Sequence, residues 1–388
     1  MKKHTDIFAE DFEIPGIVNQ KMEDAFATIR MEGNVSMNKI RKTDNQKNRK
    51  VRLLSKQAAA IIVCVLALGG VTVYAACNYH WSRGMEGSLQ STEVQQQELV
   101  ETGVATVFHS MDTYTDMAVT SGGVTVTPEM LVVNEKMVYL SLSVVGYDLE
   151  EGEEPCFEYI DVYLGNDPMA ENGRLNMCAS FYNGIISDEN GSPMYDDGTP
   201  LTFDENGGSV THYMDEEGKL EYVIVAWVTE PEESLLGQTL QVDISNLGTA
   251  YKAAFSGEVE GEWNYTFQLT DTGSMEWMEI GKEVENTVFV LDTIEISPVS
   301  IELNYTVNGE VTMYEDVNGV PLFCGVVLKD GTRIPFLFNG GMSGYTDDTL
   351  TKAYEISAFD RVIDPDQISA ILVRTEPGAD MIEIGIER

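Results

Sequence analysis

The stretch Gly122–Asp148, GGVTVTPEMLVVNEKMVYLSLSVVGYD, decides what kind of fold this chain builds. Two runs rich in Val, Leu, Thr and Tyr flank Asn134-Glu135-Lys136. β-branched and aromatic residues fit a pleated, half-buried surface, and alternation at period two marks a strand. The stretch therefore reads as strand, turn, strand. The same signature recurs in CFEYIDVYLG (156–165), RLNMCASFYNGII (174–186), LEYVIVAWVTE (220–230) and QTLQVDISNLG (238–248). It continues in EGEWNYTFQLT (260–270), TVFVLDTIEISPVSIELNYTV (287–307), PLFCGVVLKDG (321–331) and ISAILVRT (368–375). Turn dipeptides punctuate these runs, among them Asn190-Gly191, Asp197-Gly198, Asn206-Gly207, Asp330-Gly331 and Asn339-Gly340.

No strand alternates with a clear helix, which argues for antiparallel sandwiches over a parallel sheet. The expected fold is mainly β, with two antiparallel, Ig-like β-sandwich ectodomains. The first spans 101–272 and carries an acidic, Gly-rich insertion at 148–218. The second spans 273–388. Residues 78–100, with few apolar positions, read as a juxtamembrane stalk.

Toward the N-terminus the pattern changes. Ala58–Cys77, AAAIIVCVLALGGVTVYAAC, is 20 residues without a charge. As a helix it matches the roughly 30 Å hydrocarbon core of a bilayer, so 57–77 reads as a transmembrane helix. Basic residues precede it, including Arg52 and Lys56 at the inner boundary, and acidic ones follow. The positive-inside rule then puts the N-terminus in the cytoplasm and the C-terminal part outside the cell membrane, in a single pass. Tyr74, Tyr79 and Trp81 fall where amphipathic rings favour the membrane interface. A cleaved leader fits poorly, because its apolar core is shorter and its basic lead-in is brief. Lipidation at Cys77 would prefer an aliphatic residue where Tyr74 stands.

Residues 1–56 make the cytoplasmic segment. Ile14, Ile17, Val18, Met22, Phe26 and Ile29 fall at helical spacing, so 14–31 reads as an amphipathic helix. Pro15 suits its first turn and Gly33 its stop. One such helix cannot bury its own apolar stripe. Its polar face is mixed in sign, which favours a protein partner over a lipid surface. A basic tether follows it.

The chain of 388 residues has a net charge of −40. Residues 1–56 hold 12 basic and 8 acidic side chains, leaving 12 and 56 for residues 78–388. So acidic an outer part repels nucleic acid and anionic lipid. Three cysteines there, Cys156, Cys178 and Cys324, are too few for a disulfide framework. Four scattered histidines give no zinc spacing. The crowded acids of SDENGSPMYDDGTPLTFDENGG (187–208) have two readings. Hairpin turns suit the twice-occurring DENG; a weak calcium loop would lack the EF-hand spacing. No nucleophile elbow or phosphate-binding glycine loop occurs, so neither an enzyme nor a cofactor is expected.

The order of parts carries a resemblance. A helix IPGIVNQKMEDAFATIR and a basic tether MNKIRKTDNQKNRKVRLL precede one span, and HWSRGMEGSLQSTEVQQQELVETGVA and GGVTVTPEMLVVNEKMVYLSLSVVGYDL follow it. This resembles the uncharacterised anti-sigma-like single-pass membrane proteins of Gram-positive Clostridia and Bacilli, which carry an extracytoplasmic domain of unknown function after the span. The resemblance implies a cytoplasmic RNA polymerase sigma factor as partner. The chain lacks the His-x-x-x-Cys-x-x-Cys motif of zinc-type anti-sigma domains. The expected function is a membrane-anchored, anti-sigma-factor-like regulator with an extracytoplasmic sensor for an unknown ligand. The alternative is a non-enzymatic cell-envelope structural, adhesion or ligand-binding protein.

Overall fold

A computed structural model describes residues 81–388, apart from 111–112, 115–116, 151, 166–174, 205–206, 252–253, 312–318, 376–377 and 387–388, together with the strand Ile62–Cys64. The cytoplasmic segment lies outside the described residues. So does most of the run expected to cross a membrane. Among the described residues no helix is long and apolar enough to do so.

The three described residues of that run depart from the helical expectation. Ile62–Cys64 (β1) is extended and pairs in parallel with residues 265–267. A short apolar run rich in β-branched residues is compatible with either state, and here an open sheet edge supplies the backbone partners.

Two short helices follow, α1 (Arg83–Ser88) and α2 (Glu93–Glu101). Ser82 caps α1, its hydroxyl accepting from Met85 N. Thr92 and Gln95 form a reciprocal capping box on α2. These residues are no free stalk. Trp81 is 4% exposed, and Met85 and Leu89 are 0% exposed, so the segment is part of the core. Trp81 is therefore no interface anchor. Trp81, Met85 and Leu89 recur every four residues, which puts one apolar stripe on the sheet beneath.

The first pair of sheets uses nine strands beside β1. They are β2 (Ala105–Val107), β3 (Val119–Ser121), β4 (Val124–Val133), β5 (Met137–Val145) and β6 (Glu154–Leu164). Then come β7 (Asn176–Phe181), β8 (Leu220–Trp227), β9 (Thr239–Tyr251) and β10 (Ala254–Gln268). One sheet has the order β2-β4-β5-β8-β7, with β3 beside β4; the other is β1-β10-β9-β6. The opening stretch forms the β4–β5 hairpin, with Val133 opposite Val138. Asn134 closes its turn by accepting from Lys136 N and Met137 N at 2.9 and 2.8 Å. Pro128 lacks a ladder donor, and the register shifts beside it. Phe157 bridges the two sheets, its ring 4.9 Å from Tyr222 and 5.6 Å from Trp263.

The expected insertion at 148–218 is not one continuous excursion. β6 and β7 lie within it and are members of the two main sheets. What leaves the sheets, at 183–219, is a string of tight turns. Asp188, Asp204 and Asp215 each accept from backbone N–H groups of their own turns, and Gly191, Gly207 and Gly218 follow with positive φ. That is hairpin-turn chemistry, in which the carboxylates serve the backbone. Among the described residues no cluster of acids, His or Cys is arranged to hold a metal ion.

The second pair of sheets begins after residue 275. Its first sheet joins β11 (Glu276–Glu283), β12 (Phe289–Ile296), β13 (Ser300–Val307), β16 (Gly341–Tyr345) and β17 (Lys352–Ala358). Its second joins β14 (Leu322–Leu328), β15 (Arg333–Ile334), β18 (Ile368–Arg374) and β19 (Ile382–Gly385). The orders are β11-β12-β13-β17-β16 and β15-β14-β18-β19. Leu291, Ile301, Leu303, Ile368 and Ile371 are fully buried within this half.

The described residues belong to one compact unit. β5 and β8 show why. Every residue of β8, and all of β5 except Val145, is buried. One face of their sheet meets the opposing sheet. The other is covered by α1 and by Val299, Ile356, Ala358 and Val362 of the second sandwich.

Candidate functional site

The seam between the sandwiches is built from polar side chains that sequence patterning left unassigned. The β4–β5 turn inserts into the second sandwich. Asn134 Nδ2 donates to Ser297 Oγ and Ser300 Oγ, both at 2.6 Å. Lys136 Nζ donates to the carbonyls of Pro231 and Glu233 and lies 3.2 Å from Glu302 Oε2. That last contact is an ion pair without hydrogen-bond alignment, since Glu302 Oε2 has no hydrogen-bond partner. Both side chains are under 10% exposed, so each charge depends on the other. Tyr139 donates between the carbonyls of Val299 and Phe359, at 2.9 Å to each, and burial pushes its phenol well above its ordinary range.

The helical segment clasps the same seam. Gln90 N donates to Asp360 O and Val362 N to Gln90 O, each at 2.8 Å. Gln95 Nε2 reaches Val362 O at 3.0 Å, and Asn339 Nδ2 reaches Ser88 O at 2.5 Å. Arg361 ties the turn region to the second sandwich by donating to Ser187 O and Asp188 O. Gly84 N donates to the buried Glu221 carboxylate at 2.6 Å, fixing α1 on β8. Gly87 must be glycine for this approach, because a Cβ there would sit 2.1 Å from the Tyr182 ring.

A cleft of about 270 Å³ opens along the seam. Phe181, Tyr182 and Val223 line it from the first sandwich, and Ser88 and Gln90 from the helical segment. Phe338, Asn339 and Asp360 face them from the second sandwich. Tyr182 is held by Asp196, to which it donates at 3.2 Å, and by the Arg83 guanidinium 5.1 Å from its ring centre. Burial and the Asp196 carboxylate push its phenol up, so it stays protonated. Asp360 is neutralised by Arg361, with Nε 2.9 Å from Oδ1.

No Cys, His, Lys or Arg is among the residues that line the cleft. Cys156, Cys178 and Cys324 are free thiols away from it, and burial pushes the thiols of Cys156 and Cys324 up.

The residues expected to contact a cytoplasmic partner, Ile14, Ile17, Val18, Met22, Phe26 and Ile29, lie outside the described residues. Arg52, Lys56, Tyr74 and Tyr79 do too. The cleft residues were present in the sequence only as strand and turn signals. FYNG (181–184) reads as a strand end and FNGG (338–341) as a turn, and nothing local in either says that they face each other.

No family model matches the chain, and no curated protein matches it. Among solved structures it is similar to the crystal structure of a conserved domain protein from Bacillus anthracis. The identity is 14% and the TM-score 0.40, over 69% of this chain and 80% of that one.

Proposed function

We propose that the chain is a membrane-anchored signalling protein, an anti-sigma-factor-like regulator. Its Ig-like sandwiches face outward and sense a ligand, and its N-terminal helix at 14–31 holds a cytoplasmic sigma factor. One observation supports this above the others. The residues that directly follow the apolar run do not merely tether the sandwiches; they clasp the seam and wall its cleft. A ligand seated there touches the segment that leads to the membrane. The alternative, an envelope adhesion protein, uses the same cleft but gives the amphipathic helix no role.

In this reading Ile62–Cys64 belongs to the membrane span and leaves the edge of β10. Three paired residues supply few backbone bonds, whereas 20 uncharged residues gain far more from hydrocarbon. Affinity capture with the full-length chain in detergent tests the cytoplasmic part. A sigma factor should co-purify with the parent chain and be lost with Phe26→Asp. Recovery of none, or equal recovery with the variant, refutes it.

A further inference from the structure

The cleft has a chemistry of its own. Three amides line it, and each is pinned at one end by the protein. Asn339 donates to Ser88 O, Gln90 Nε2 donates to Ser187 O at 2.9 Å, and Asn183 Oδ1 accepts from Ile185 N at 3.1 Å. The opposite ends of the three, Asn339 Oδ1, Gln90 Oε1 and Asn183 Nδ2, have no partner among the described residues. They give two acceptors and one donor group whose directions the pinned ends fix in advance. The Phe338 ring stands at the mouth, 54% exposed, as an apolar platform.

Charge narrows the occupant. The lining has no cation, and the outer part holds 56 acids against 12 bases, so an anion is disfavoured. The one lining carboxylate, Asp360, is already paired with Arg361, so a cation finds no open counter-charge. What remains is a neutral molecule whose groups both donate and accept and which presents an apolar face to a ring. The volume equals about nine waters at ~30 Å³ each, room for one sugar ring with the mouth open to its neighbours.

We propose that the seam cleft binds a neutral saccharide, stacked on Phe338 and held by Asn183, Asn339 and Gln90, and that its occupancy tightens the clasp of α1 on the second sandwich. This rests on the sensor reading of the sandwiches and names the ligand class for it. A sugar that bridges Gln90 to Phe338 and Asn339 ties together the two walls that close the clasp.

Isothermal titration of the full-length chain in nanodiscs tests the site. The probes are diacetylchitobiose, cellobiose and maltose; a heparin disaccharide and an oligolysine peptide serve as contrasts. A neutral disaccharide should bind. Phe338→Ala should weaken binding at least about tenfold, and Ser180→Trp, which fills the cleft from an exposed position, should abolish it. Should Ser180→Trp lower the melting temperature, Phe338→Ala decides alone. Failure of every neutral sugar at millimolar concentration, binding of a contrast ligand only, or binding unchanged by Phe338→Ala overturns the inference. Amide exchange at 83–101 should slow with saturating sugar; unchanged exchange overturns the tightening. The Phe26→Asp capture reads the other end of the chain. A chain that binds sugar but holds no sigma factor keeps this site and loses the signalling reading, and the converse loses only the site.

Discussion

Glu355 makes the second sandwich sensitive to alkali. Its carboxyl lies between the sheets on β17, 3% exposed, accepting from Phe323 N at 2.6 Å and Ser357 Oγ at 3.0 Å. Those two bonds favour the ionised form, but burial outweighs them and raises the group from 4.5 to about 8. The folded chain therefore keeps a proton that the unfolded chain releases. This stability is fully present below about pH 4.5 and is lost as pH rises through about 8. At 1.36 kcal/mol per tenfold, the loss between pH 5 and pH 7 is about 2.5 kcal/mol. Glu355→Gln removes the titration and keeps the contacts, since its oxygen still accepts from Phe323 N and its amide donates to Ser357. Urea unfolding of both proteins from pH 5 to pH 9, with matched m-values, measures the difference. The gap in favour of Gln should widen by about 2.5 kcal/mol from pH 5 to pH 7 and level off above about pH 8. A gap that stays constant with pH, or widens toward acid, refutes the reasoning.

Two further outcomes follow from the seam and the sheets. Lys136→Met strands Glu302 without its partner and should cost about 3–5 kcal/mol in chemical unfolding, whereas Lys136→Met with Glu302→Gln should recover most of that loss. Gly325→Ala should cost about 3 kcal/mol or more by the same measurement, because its Cβ would fall 1.8 Å from the backbone carbonyl of Ile334 and must push β15 from β14.

The β fold was legible where local pattern and local partner coincide. The Gly122–Asp148 hairpin is the clearest case, since alternation, a proline-marked bulge and a polar turn all act within one neighbourhood. The two DENG turns, at 188–191 and 204–207, were legible for the same reason. The cover on β5 and β8 was not. Their near-continuous burial depends on Met85 and Leu89 from one side of the chain and on Val299 and Ala358 from the other. Periodicity within a strand says that something covers it but not what does. The helical segment misled because its buried apolar residues, Trp81, Met85, Leu89 and Leu99, stand widely spaced amid Gly, Ser and Gln. The four-residue spacing was the sign that this stripe packs. The cleft had no local sign, since Asn183 and Asn339 meet through the docking of two sandwiches more than 150 residues apart in the chain.

The packed helical segment also sets a height. With residues from Trp81 onward in the core, a span ending at Cys77, as proposed above, would leave only Asn78, Tyr79 and His80 between it and the folded body. Three residues extend to about 10 Å at most. A chain anchored through 57–77 therefore has its sandwiches pressed close above the lipid head groups, with little freedom to tilt or swing.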